Sequence, residues 1–398
     1  MKDKIALVVN TLSGGGAEKT AANLSRVLSE KYEIDIIVND DFQLDYSYIG
    51  HVFSLHMPQK KNRMSFSYQT KALIRRTRVL KILKAKRHYK AVISFSEMTN
   101  LANVLSGGKA IISVHNSVSK SKANGWKHRL VARIVLPYCV KKAYKTVPCS
   151  KEISDELIRD YRLSKEKSFV IYNGIDCQNV KDLASEKLPQ LISENSKKLI
   201  VTVGRLTWEK GQWHLIRVVR KLLDEGMDIK LIILGEGPLR RLLEELVSKS
   251  GLEEKVLLPG FVENPYQYMA AADVVVFPSL TEGFSNAILE ALACSAPVIS
   301  TDHETGAREI LAPDTDYHFK IHNTIDEAQY GVLVPVCDGT IYKASEPLTN
   351  EEKLLGKAIR RMVTDPGWNT RYRNAALKRA EQLSIHSVAK KWIEAIEN

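Results

Sequence analysis

Two doubly wound α/β domains are what this sequence of 398 residues predicts. Three observations carry that reading. Short apolar strands alternate with helical patterns, the mark of βαβ units and a parallel sheet. The alternation stops at a polar, glycine-poor stretch, 178–197, and then restarts. The length itself corresponds to two or three domains at about 150 residues each.

The first strand is Ile5-Ala6-Leu7-Val8-Val9-Asn10, a continuous apolar run of the kind buried on both faces of a parallel sheet. A glycine cluster, Ser13-Gly14-Gly15-Gly16, leads into helical periodicity from Ala17 to Leu28, and Ile34 to Asn39 is the second strand. Ala91 to Phe95, Ala110 to His115, Thr146 to Pro148 and Ser168 to Tyr172 are the later strands of the first half. In the second half the strands are Leu199 to Val203, Ile229 to Leu234, Lys255 to Leu258, Val274 to Pro278 and Pro297 to Ser300. A last helical stretch runs from about Ala375 to Glu397. The expected domains are 1–178, completed by a helix at 383–398, and 196–382. No short-period repeat or low-complexity tract is present, which argues against a solenoid.

Composition removes several classes. Hydrophobic residues make up 44% and charged residues 26%, a balance foreign to disordered and collagen-like chains. No run approaches the roughly 18 consecutive apolar residues of a membrane span. Residues 1–10 run straight into a strand without a cleavage site, so no signal peptide is expected. The five cysteines, at 139, 149, 177, 294 and 337, form no CxxC pair, a usage typical of reduced thiols in a cytosolic protein.

The net charge of +12 is unevenly placed. Residues 1–176 hold 31 Lys and Arg against 15 Asp and Glu, a net of +16, which leaves 27 against 31, a net of −4, for the rest. Between Asp45 and Glu152 stand 22 basic residues and one acid, Glu97. Composition allows such a half to meet nucleic acid, an anionic membrane surface or a phosphorylated substrate. Residues 71–87 place Leu73, Ile74, Leu80 and Leu83 near one side of a helix, with Lys71, Arg75, Arg78 and Lys81 elsewhere. Residues 127–145 mix Leu130, Val131, Ile134 and Val135 with Lys127, Arg129, Arg133, Lys141, Lys142 and Lys145. Two packed surface helices with solvated basic faces would also look like this. No helix-turn-helix, zinc-finger or RNP-like pattern accompanies the charge, so no nucleic-acid partner is expected.

Chemistry concentrates in Thr281-Glu282-Gly283-Phe284-Ser285-Asn286-Ala287-Ile288-Leu289-Glu290. A strand ending at Pro278 feeds a short loop, and Ser285 or Asn286 can cap a helix that runs to about Ala293. Free N–H groups and the positive dipole end of such a helix suit a phosphate. Glu282 precedes the helix and Glu290 lies in its second turn, so one carboxylate can read a sugar and the other a ribose. An acidic helix start with no ligand has the same residues. Gly204-Arg205-Leu206 and Lys210-Gly211 follow the first strand of the second half, where cations neutralise a ligand in the crevice of an open sheet. Gly235-Glu236-Gly237 ends another strand, where glycine permits close approach or simply makes a turn.

Together these residues resemble glycosyltransferase family 4, a retaining family of GT-B architecture. Glu282 and Glu290 are similar to its E-x7-E motif. Gly14 to Glu18, Gly204 to Gly211, Asn173-Gly174-Ile175-Asp176 and Gly260-Phe261 follow in the family's order. The resemblance implies two Rossmann-like domains facing across a cleft, the basic first one for the acceptor and the second for the donor. It implies that Arg205 and Lys210 grip the donor diphosphate, that Glu282 and the Gly283, Phe284 and Ser285 backbone meet the sugar and phosphate, and that Glu290 binds the ribose. It further implies that Gly15 and Gly16 admit the diphosphate, that Gly204 and Gly235 border the donor, and that His115 contacts the donor sugar. No metal and no cofactor are expected, the UDP-sugar being a substrate.

Two departures stand out. Leu311 to Tyr330 intervenes before Gly331-Val332-Leu333-Val334-Pro335, which gives room for a flap or acceptor loop. Arg308-Glu309-Ile310 resembles branches that build bacterial surface polysaccharides and glycolipids from UDP-sugars. Asp314-Thr315-Asp316 is similar to a metal-binding DxD only in its letters. The expected enzyme moves a hexose or N-acetylhexosamine from a UDP-sugar to a lipid-pyrophosphate-linked glycan, on the inner face of the cell membrane. The rivals are a soluble transferase with a small-molecule or free-glycan acceptor, and a catalytically silent nucleotide-sugar-binding subunit.

Overall fold

In this computed structural model, which describes residues 2–41, 44–57, 66–116, 131–187 and 198–398, the chain divides into two units. Met1–Gly174 with Ile385–Asn398 forms one, and Ile175–Ser384 the other. The first unit contains β1 (Lys4–Val8), α1 (Gly16–Leu28), β2 (Glu33–Val38), β3 (His51–Ser54), α2 (Phe66–Arg87), β4 (Ala91–Ser94), α3 (Glu97–Leu105), β5 (Ala110–Val114), α4 (Leu136–Lys142), β6 (Lys145–Pro148) and α5 (Lys151–Tyr161). The second opens with α6 (Cys177–Ala184), β7 (Lys198–Val203), α7 (Gln212–Asp224), β8 (Ile229–Leu234), α8 (Arg240–Lys249), β9 (Val256–Gly260) and α9 (Tyr266–Ala271). It continues with β10 (Val274–Phe277), α10 (Asn286–Ala293), β11 (Val298–Thr301), α11 (Ala307–Leu311), β12 (Val332–Val334), α12 (Asn350–Thr364) and α13 (Pro366–Gln382). The helix α14 (Ile385–Glu397) returns to the first unit.

Each unit holds a six-stranded sheet, ordered β3-β2-β1-β4-β5-β6 and β12-β11-β10-β7-β8-β9, and every pairing is parallel. In each, the first strand lies at the point where strand order reverses. An open α/β sheet leaves a crevice at such a point, outside the carboxyl ends of the strands. The apolar run of β1 explains the layers, because successive side chains face opposite sides. Ile5 and Leu7 pack with Leu24, Leu28 and Trp392 beneath α1 and α14, while Ala6 and Val8 pack with Leu80 of α2. The Glu397 carboxylate of α14 accepts from Tyr32 Oη at 2.6 Å and pairs with Lys90 at 2.6 Å.

Several expectations change. The chain passes between the units at Gly174–Ile175, within the Asn173 to Asp176 segment, and Cys177–Ala184 is helical and packs on α9 and α10 of the second unit; residues 188–197 lie outside the described set. The helical stretch of Ala375 to Glu397 divides at Leu383-Ser384, where the Leu383 carbonyl accepts the Ile175 N–H at 2.9 Å and Ser384 bridges to Ile175. Gly174 is needed beside that break, since a Cβ there would come 2.9 Å from the Ile385 Cα. Ser168 to Tyr172 is not a strand. Phe169 and Ile171 donate to the Thr146 and Pro148 carbonyls, but Pro148 has no N–H to return. The edge strands β3 and β12 are additional to the expected ones.

The basic segments also differ from expectation. On α2, Ile74 and Ile82 are exposed among the cations, while Arg76 is buried and bonds Asn10 Oδ1 at 3.1 Å and Asn39 Oδ1. Lys145 is buried as well, its ammonium 4.2 Å from the Phe169 ring centre. Lys127, Arg129 and Leu130 lie outside the described residues. No helix among the described residues is long and apolar enough to cross a membrane. None of the five cysteines is in a disulfide.

The helix that begins just after Lys210, α7, is held by a buried ionic cluster. Glu352 of α12 accepts from Arg217 Nε at 2.9 Å and lies 2.8 Å from His214 Nδ1. The Arg217 guanidinium also reaches the Lys343 and Pro347 carbonyls. All three side chains are buried. Glu352→Ala strands a guanidinium away from water and is expected to lower stability by about 3–5 kcal/mol. Urea unfolding of the second unit, followed by the buried Trp213, measures it.

Candidate active site

The second unit brings the carboxyl ends of β7 and β10 side by side, since these strands are paired across the reversal. From β7 the chain turns through Gly204, Arg205 and a short 3-10 turn, Trp208–Lys210. From β10 it passes through Ser279 to Glu282 and enters α10. Two backbone contacts tie these loops. Leu280 N–H donates to the Glu209 carbonyl at 2.8 Å, and a Cβ on Gly211, whose φ is +61°, would fall 2.4 Å from the Pro278 oxygen. The loops are therefore close enough for their charges to meet.

They meet as an ion pair. The Lys210 ammonium donates to Glu282 Oε1, and Ser279 Oγ donates to the same oxygen at 2.9 Å. Burial pushes the Glu282 carboxyl up, but Lys210, His303 and the two hydrogen bonds outweigh it and hold the group below the ordinary carboxylate range. Thr305 Oγ1 donates to the Glu282 carbonyl. The Lys210 stem packs over Gly204, where a Cβ would lie in contact with it at 3.4 Å from Cε. Gly235 is obligatory, with φ +134° and a Cβ position 2.1 Å from the Gly204 oxygen. Arg205 is exposed, and among the described residues its guanidinium has no ion pair or hydrogen bond.

Gly283, Phe284 and Ser285 are buried ahead of α10, and Glu290 is buried in its second turn. Ser285 occupies the cap position, but its hydroxyl makes no capping bond. The helix start thus keeps N–H groups for a ligand. Gly204, Arg205, Lys210, Gly235 and Glu282 to Glu290 all lie at the same end of the second sheet. The sequence reading missed Ser279, His303 and Thr305, which surround Glu282. The polar run Thr301-Asp302-His303-Glu304-Thr305-Gly306 at the end of β11 was the available signal.

His115, Gly15 and Gly16 belong to the first unit. His115 follows β5, and its Nε2 lies 3.0 Å from Ser113 Oγ while its ring stacks on Phe95 at 5.9 Å. Burial lowers its pKa to about 4, so the ring is neutral at pH 7. Its Nδ1 is buried with no hydrogen-bond partner among the described residues. Gly15 caps α1, and a Cβ there would strike the Glu18 carboxylate at 2.1 Å. Burial pushes the Glu18 carboxyl up, a backbone hydrogen bond opposes this, and the nearby Glu97 adds to it. The loop 312–331 departs from α11, where Arg308 binds Asp302 at 2.7 Å, Asp326 at 2.9 Å and Thr315 at 3.2 Å. Thr315 of the Asp314-Thr315-Asp316 run is engaged there, and Asp316 binds the His318 N–H.

Two family models match the chain. The family model of Glycosyltransferase Family 4 matches residues 14–179, and that of Glycosyl transferases group 1 matches residues 185–330. An uncharacterised glycosyltransferase of Methanocaldococcus jannaschii is 30% identical over 338 residues, 80% of this chain and 82% of that one. The N-acetylgalactosamine-N,N'-diacetylbacillosaminyl-diphospho-undecaprenol 4-alpha-N-acetylgalactosaminyltransferase of Campylobacter jejuni is 28% identical over 393 residues, 97% of each chain. Among solved structures, Anabaena HepE in complex with UDP and glucose superposes with a TM-score of 0.74 at 17% identity, covering 100% of both chains. That likeness is one of fold.

Lys210→Met removes the largest influence that lowers the Glu282 pKa and leaves burial to raise it. In the native protein the depressed carboxyl contributes stability above the ordinary carboxylate range and loses it as pH falls through the folded-state value. In the variant, the Glu282 carboxyl-carbon NMR titration is expected to move to higher pH, past the ordinary value.

Proposed function

The chain belongs to the family 4 glycosyltransferases, and on that premise we propose that it moves a hexose or N-acetylhexosamine from a UDP-sugar onto a lipid-linked glycan, retaining the anomeric configuration. The observation that carries this is the half-buried Lys210–Glu282 pair beside the start of α10, with the exposed Arg205 on the same loop as Lys210. A sugar diphosphate needs both kinds of group: cations and free N–H donors for the phosphates, and carboxylate acceptors for the hydroxyls.

In this mechanism the acceptor hydroxyl attacks the anomeric carbon on the face from which the diphosphate leaves. Its oxygen forms the new glycosidic bond as the bond to the phosphate oxygen breaks, and a phosphate oxygen takes the hydroxyl proton. Arg205, Lys210 and the α10 N-terminus stabilise the charge gathering on the departing UDP. Glu282 holds sugar hydroxyls, Glu290 the ribose, and His115 contacts the donor sugar as a neutral imidazole. Gly15, Gly16, Gly204, Gly235 and the Gly283–Ser285 backbone let the donor approach. These residues supply the positive charge, so no metal and no cofactor enters the reading. The Campylobacter relative supports the acceptor class, because its name specifies a diphospho-undecaprenol-linked glycan and an alpha linkage.

A membrane-bound acceptor calls for a docking face. Lys71, Ile74, Arg75, Arg78, Lys81 and Ile82 are exposed on α2 at helical spacing. Cations interleaved with two isoleucines suit an anionic lipid surface on the cytoplasmic side, at about 1 kcal/mol per basic residue.

UDP-sugars are expected to raise the unfolding temperature in a thermal-shift screen that includes GDP- and ADP-sugars, because a ligand stabilises the state it binds. Glu290→Ala and Lys210→Ala are each expected to lower sugar transfer at least about 100-fold. Intact transfer in both would refute the site assignment. Reversing Arg75, Arg78 and Lys81 to Glu, with the buried Arg76 left in place, is expected to weaken sedimentation with phosphatidylglycerol vesicles. Unchanged sedimentation would remove the membrane role of α2.

A further inference from the structure

We propose that His303 accepts a hydrogen bond from a hydroxyl of the donor sugar, and so selects donors that carry a free hydroxyl at that position. The proposal rests on reading the Glu282 region as the donor site.

His303 directly follows Asp302 at the end of β11 and is fully buried. Its Nδ1 lies 3.1 Å from the Glu304 carbonyl oxygen. A carbonyl can only accept, so the proton of the neutral ring stands on Nδ1 and Nε2 presents a lone pair. That Nε2 is buried with no hydrogen-bond partner among the described residues. Buried polar atoms are almost always bonded, and one left open asks for an external partner.

The neighbourhood says what kind of partner. Burial lowers the pKa of the ring, the charge of Glu282 and the contact with the Glu304 carbonyl oppose this, Lys320 and Lys210 reinforce it, and the net shift is downward. The ring is therefore neutral and lies within electrostatic reach of both members of the ion pair. Thr305, two residues on, donates to the Glu282 main-chain oxygen, which holds the two loops together. A carboxylate and an imidazole lone pair within electrostatic reach of each other are two acceptors, and the matching ligand is a pair of hydroxyl donors. A diol on a sugar ring is such a ligand.

The base of His303 is fixed by the segment that follows α11. Asp302 binds Arg308 and accepts the Ile321 N–H at 3.1 Å. Lys320, the neighbour of Ile321, comes within electrostatic reach of His303. The extra segment thus braces the loop that carries the ring.

The test uses the full chain, UDP, and a panel of UDP-glucose, UDP-galactose, UDP-N-acetylglucosamine and UDP-N-acetylgalactosamine, with monodeoxy analogues of the donor that is used best. His303→Leu is expected to lower kcat/KM for that donor about 10- to 100-fold, as the loss of a buried hydrogen bond does. UDP affinity is expected to stay within about twofold, because the lost contact is to the sugar. His303→Gln, whose Oε1 takes the place of Nε2, is expected to recover most of the loss. One deoxy analogue is expected to be turned over equally by the native protein and by His303→Leu. Equal activity of His303→Leu with the native donor would overturn the proposal, as would the same loss with every analogue or a matching loss of UDP affinity. If the native protein binds no donor of the panel, the underlying site reading fails, and this shows before any substitution is made.

Discussion

The ion pair between Lys210 and Glu282 sits where the second sheet reverses its strand order, and the organisation of the site depends on it. A half-buried carboxylate tends to take up a proton, and a protonated Glu282 would be a poorer acceptor for the hydroxyls of the proposed donor sugar. Lys210 keeps it ionised. Its own placement depends on a glycine: Gly211 lets the following turn close on Pro278. Ser279 and Thr305 then fix the two oxygens of Glu282 that matter, one on the side chain and one on the main chain. In the proposed donor site a diphosphate would compete with Glu282 for the Lys210 ammonium, and binding would exchange one ionic partner for another rather than bury a bare charge.

Much of this arrangement could be read from the residues. The strands β1 and β10 are apolar runs and β2, β7 and β8 are apolar but for one or two residues each, the composition of a parallel sheet covered on both faces. The E-x7-E spacing placed Glu282 in the loop and Glu290 in the helix, where the structure has them. What escaped was set by tertiary pairing. His51–Ser54 is short and half-buried at a sheet edge, and Val332–Val334 has only three residues. Ser168 to Tyr172 has strand-like composition, but a proline on its neighbour denies it a complete ladder. The pairing of Lys210 with Glu282 spans 72 residues, a contact that no local pattern encodes.

Charge was legible in amount but not in purpose. The basic surplus of the first unit contains Arg76, which is buried and bonds Asn10 and Asn39 at the ends of β1 and β2. It also contains Lys145, buried against aromatic rings, and Lys84, which burial pushes down to about 8. These cations stabilise the unit from within. Only the remainder, such as the outer face of α2, is free to act on a partner. Periodicity alone could not separate the two groups, because Ile74 and Arg76 have exchanged the places that hydrophobicity assigns them.

The return of α14 to the first unit bears on how the protein is made. Trp392 and Ile396 complete the core beneath β1, and Glu397 closes a cluster with Tyr32 and Lys90. During synthesis, that face stays uncovered until Ile385–Asn398 has emerged, whereas Ile175–Ser384 by then has its whole sheet and every covering helix. The unit translated first is therefore the one finished last. Its bare apolar face is what a nascent-chain chaperone would hold in the meantime.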